Sequence, residues 1–133
     1  MFSKKSTKRI NEGLFAATLL YEAAKNGDQE RISDLITGPE TTEDGIAQAL
    51  MFFWGIAADV PTVRQRLEEI ANQIDAKHRQ AFTTSFTVMD TGNKDAFQPQ
   101  TLVAQMVFIS SIVRVIASDT EGERLLRQLL GLN

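Results

Sequence analysis

The sequence predicts an all-α protein, a compact bundle of five or six helices in an orthogonal or up-and-down arrangement, and three observations carry that prediction. Apolar residues recur at helical spacing along nearly the whole chain, while the strict alternation of a half-buried strand is almost absent. Turn-forming residues interrupt these stretches at short intervals, as they do between neighbouring helices of a bundle. Residue types that cap or open helices stand where new stretches begin: Asp28, Thr41 or Thr42, Asp59 with Pro61, and Ser118 or Asp119.

The first helix is expected from about Thr7 to Lys25, with Ile10, Leu14, Ala17 and Tyr21 on one face and Phe15, Leu19 and Leu20 widening it. Residues 1–6 then form a basic N-terminal arm. Gly27 supplies a stop, and Asp28 caps a short second helix that buries Ile32, Leu35 and Ile36 before Gly38-Pro39 ends it. The hairpin from Tyr21 to Asp28, with Ile32 and Leu35-Ile36, is similar to the helix-turn-helix of one ankyrin repeat. No second copy recurs at the required period, so it is read as an ordinary turn between helices.

In the third helix Glu43 and Asp44 complement the dipole of the first turn. From Ile46 to Ala58 it carries no charge, and Leu50, Met51, Phe52, Phe53, Trp54 and Ile56 surround most of its circumference. Such a helix is either central or covered by a partner. The fourth helix opens at Pro61 and buries Val63, Leu67, Ile70 and Ile74; continuing the stripe through His78, Phe82, Phe86 and Met89 extends it to about Met89. The weak helix formers of Thr83–Val88 leave a break or a short extended piece as the alternative.

Asp90–Asp95 is the main loop, since turn residues cluster there between two periodic segments. The fifth helix, from about Pro99 to Ala117, is apolar on nearly every side through Leu102, Val103, Met106, Val107, Ile109, Ile112, Val113 and Ile116. A last helix follows Ser118 or Asp119, with Leu125, Leu126, Leu129 and Leu130 as its apolar face and Gly131 as its stop.

The 133 residues suit one domain, residues 1–133, which buries roughly two-thirds of its unfolded surface. Apolar and charged fractions of 43% and 23% are those of a globular protein. With no Cys, the chain has no disulfide, thiolate metal site or cysteine nucleophile, which fits a cytoplasmic location. The basic residues before Leu14–Leu20 stand in signal-peptide order, but Glu12 and Glu22 bracket that short run and no cleaved signal is expected. The uncharged stretch Ala96–Val113 is interrupted by Gln98, Pro99, Gln100, Gln105, Ser110 and Ser111, so it reads as a buried helix and not a membrane span.

Catalytic signals are sparse. His78 is the only His, so neither a two-His metal site nor a di-iron bundle can be assembled in one chain, and no metal or cofactor is expected. It reads as a His at the edge of the core. Val88-Met89-Asp90-Thr91-Gly92 resembles the Asp-Thr-Gly signature of aspartic proteases over five residues, but that family frames each Asp in β-structure, and here the run reads as a turn. Glu68, Glu69 and Asp75 lie beside Arg64 and Arg66 on a solvated face, and no phosphate-binding glycine loop is present.

The expected function is therefore a non-enzymatic helical interaction module, such as an adaptor, chaperone-like or inhibitor protein, binding a protein partner or itself as a homodimer. Its candidate contact residues are Met51, Phe52, Phe53, Trp54 and Met106, because one apolar helix is easily wrapped in a small bundle and two are not. The alternative is a nucleic-acid-associated regulator using Lys4, Lys5, Lys8 and Arg9, with Arg64 and Arg66 in support. A net charge of −3 and the acidic residues from Asp28 to Asp44 weigh against it.

Overall fold

A computed structural model of the chain describes residues 4–74, 79 and 102–132. These form six α-helices: α1 Lys4–Lys25, α2 Gln29–Thr37, α3 Glu43–Asp59, α4 Pro61–Gln73, α5 Leu102–Ser118 and α6 Thr120–Leu130. No strand occurs among the described residues, and the helices pack as an all-α bundle. The fold class is the one that the apolar periodicity predicts.

Three helix starts are fixed by a local side-chain bond. The Asp28 carboxylate accepts the Arg31 N–H at 3.0 Å, and the Thr42 hydroxyl accepts the Gly45 N–H at 2.9 Å. Asp119 does the same for Gly122 at 2.8 Å. Pro61 occupies the first turn of α4, where a missing N–H costs nothing. Gly27 and Gly131 take positive φ of 67° and 72° just beyond α1 and α6, the left-handed conformation that closes a helix without a Cβ clash.

Two boundaries differ from the expectation. α1 begins at Lys4, so residues 4–6 continue the helix and are not an arm. α4 stops at Gln73, because Ile74 turns to extended backbone with ψ 160° while its N–H still bonds to the Ile70 carbonyl. The guanidinium of Arg79 then donates to the carbonyls of Ala71, Asn72 and Ile74, serving the orphan acceptors of that helix end. The expected continuation through Thr83–Val88 to Met89 and the start near Pro99 lie outside the described residues, as does the Asp90–Asp95 loop.

The core is organised around α5, which packs against each of the other five described helices. Phe108, Ile112, Val113 and Ile116 are fully buried on it, each contributing about 1.5–3 kcal/mol of burial. Between Met106 and Ser118 only Arg114 and Ser118 are exposed. Buried Ser110 accepts a hydrogen bond from Gln29 Nε2 at 2.6 Å, so its hydroxyl is satisfied.

The most extensive helix pairing is α1 against α3, and small residues make it close. Gly13, Ala16 and Ala17 on α1 and Gly45 and Ala49 on α3 are all buried. A Cβ on Gly45 would lie 3.0 Å from the Glu12 carbonyl oxygen, and one on Gly13 would meet Gln48 Cγ at 2.5 Å. Glu12 also accepts a bond from the hydroxyl of Thr42, tying α1 to the cap of α3.

α3 and α4 turn a corner of 109° at Val60. The Val60 N–H closes α3 on the Ile56 carbonyl, and its own carbonyl accepts from Val63 and Arg64 to open α4. The corner brings α4 to the α5–α6 turn, where Val63 packs against Gly122 and Arg66 donates to the Ser118 hydroxyl at 2.9 Å. α6 is docked by fully buried Leu126 and fastened to α1 by polar contacts. Lys25 pairs with Glu123 at 2.6 Å, and Arg127 donates to the Tyr21 hydroxyl at 3.2 Å.

Candidate interaction surface

The apolar α3 divides into two faces once the bundle forms. Phe53 is 0% exposed and Trp54 6%, with Leu50, Ile56 and Ala57 buried beside them. The Trp54 ring lies 6.1 Å from that of Phe108, and the Arg64 guanidinium covers it at 4.5 Å. Of the five contact residues expected from the sequence, Phe53 and Trp54 are thus interior side chains of the fold itself. Phe52 and Met106 are half-buried, and Met51 is 41% exposed.

Met51 does not stand alone on its face. Ala47, Gly55 and Ala58, at spacings of four, four and three along the same side of α3, are also exposed, and a Cβ on Gly55 would meet nothing within 4 Å. The stripe is bounded by exposed Asp44 at one end and exposed Asp59 at the other, with no charge from Gly45 to Ala58. It is an uncharged, low-relief helix face with one long flexible side chain at its centre.

Two further exposed apolar side chains are absent from the sequence-based set. Phe15 on α1 is 53% exposed and Leu129 on α6 is 43% exposed. Phe15, expected to widen the buried face of α1, points outward with exposed Lys8, Asn11 and Glu22 on its side of the helix. Those polar residues at i−7, i−4 and i+7 are the signal that marks it as solvent-facing. Leu129 carries no such signal, because Leu125 and Leu132 flank it at i−4 and i+3.

Among the described residues, the basic side chains give no comparable focus. Lys8 is exposed and lies 4.0 Å from Glu12, a helix-spaced pair. The side chains of Lys4, Lys5 and Arg9 lie outside the described residues. Arg64 reaches Glu68 at 3.4 Å while covering Trp54, and Arg66 is bonded to Ser118. Both supporting arginines of the nucleic-acid reading are thus engaged within the bundle.

Titration at the polar seams follows local partners. The Lys25 ammonium holds the Glu123 carboxyl below its ordinary value, and Glu123 raises Lys25 in return. Burial pushes the Asp119 carboxyl up, but the Gly122 N–H and the Thr62 hydroxyl outweigh it and leave the group lowered. Each shift is explained by a bond that fastens two segments together, so these groups read as structural.

Surface depressions among the described residues include an open one lined by Arg31, Asp34, Thr37, Gly38, Pro39 and Glu40 and another around Asn11, Glu12 and Phe15. In the first, both guanidinium nitrogens of Arg31 are held by the Glu40 carboxylate, which places the cation against its own chain. No group of three or more His, Asp or Glu side chains suited to a metal occurs among the described residues. His78 and Asp90 lie outside them. No single helix among the described residues is long and apolar enough to cross a membrane.

Compared with known proteins, the chain matches no family model, no curated protein and no solved structure.

Proposed function

We propose that the chain is a non-enzymatic helical module for protein–protein interaction, an adaptor, chaperone-like or inhibitor protein of the cytoplasm. It engages a partner, or a second copy of itself, through the uncharged face of α3. The observation that carries this reading is the exposure of Met51 together with Ala47, Gly55 and Ala58 on a helix whose opposite face fills the core. Exposed apolar side chains gathered on one face favour association, and Met adapts its shape to what it meets.

Sedimentation over a concentration series, for wild type and Met51→Glu, tests the reading in its self-associating form. Asp44 and Asp59 stand 15 positions apart, about 22 Å along the helix. An antiparallel α3 pair centred on Met51 sets each Asp44 opposite the other copy's Asp59, and a parallel pair sets like residues side by side. A self-complex on this face is expected to tighten as salt rises, because screening relieves that repulsion, and to be lost in Met51→Glu.

In its partner-binding form the reading is tested by affinity capture with the same two proteins, matched for fold by circular dichroism. Capture of a specific partner by wild type and its loss in Met51→Glu is expected. Identical capture by both proteins, with both monomeric at every concentration, would overturn the proposal.

A further inference from the structure

No further inference is drawn: the strongest candidate, the uncharged face of α3 formed by Ala47, Met51, Gly55 and Ala58, belongs to the surface already proposed, and nothing in the structure shows what covers it.

Discussion

The Thr62 hydroxyl donates to one carboxylate oxygen of Asp119 at 2.7 Å while the other oxygen accepts the Gly122 N–H at 2.8 Å. One side chain thus caps α6 and holds the first turn of α4 against it. Asp119→Ala removes both bonds and is expected to lower the unfolding free energy by about 1–2 kcal/mol. Thr62→Ala removes only the Thr62–Asp119 bond, for about 0.5–1 kcal/mol. Because the two share an acceptor, the double variant should lose less than the sum in urea denaturation. Strict additivity would show that the Thr62–Asp119 bond contributes nothing to stability.

Acid should act on the same seam. Asp119 and Glu123 both titrate below their ordinary values of 3.8 and 4.5 in the folded chain. A carboxylate lowered by folding stabilises the native state fully above its unfolded pKa and loses that contribution as pH falls through the folded one. Their joint contribution is therefore expected to be complete above about pH 6 and to be lost over the acid range in which pH falls through the lowered folded pKa values, which for Asp119 lies below 3.8. Melting temperatures across that range should fall less steeply for Glu123→Gln than for wild type, since Gln has no carboxylate to protonate.

Two glycines of α3 should respond to Ala in opposite directions. At exposed Gly55 the added methyl meets nothing, and better helix propensity is expected to stabilise the chain by about 0.5–1 kcal/mol. At Gly45 the same methyl lies 3.0 Å from both the Glu12 carbonyl oxygen and the Thr42 hydroxyl oxygen. Separating α1 from α3 to admit it should outweigh the propensity gain and give a net loss. Chemical denaturation of the two variants side by side measures the contrast, and stabilisation in both would mean that the α1–α3 seam is loose.

The two faces of α3 can be told apart by truncation. Phe53→Ala opens a cavity in the core and is expected to cost about 3–5 kcal/mol. Met51→Ala, at an exposed position, should stay within about 0.5 kcal/mol of wild type. Thermal unfolding of the two variants checks this, and comparable losses would place Met51 in the interior.

What the sequence disclosed and what it hid follow from the range of the interactions involved. The cap at Asp28 is readable, and those at Thr42 and Asp119 to within one residue, because each joins a side chain to an N–H three residues ahead, within one stretch of sequence. Pro61 is readable for the same reason. The fold class follows from periodicity alone. The division of α3 does not, since a helix apolar all round has no polar side to mark where solvent lies, and only packing against α1 and α5 separates Phe53 from Met51. The small-residue seam at Gly13 and Gly45 was hidden differently: a search for large apolar stripes passes over residues whose contribution is to let two backbones approach. Ile74 continues the stripe of α4 in spacing, yet its extended backbone ends the helix.

The bond from Arg127 to Tyr21 joins residues 106 positions apart, and Lys25–Glu123 lies beside it. Contacts of such separation require nearly the whole intervening chain to be ordered before they offset the entropy of closure. Docking of α6 on α1 is thus expected late in folding. Substitutions at Arg127 or Glu123 are expected to hasten unfolding and leave the refolding rate almost unchanged. The seam that fastens α6 to α1 is thus expected to set how long the native state lasts more than how quickly it is reached.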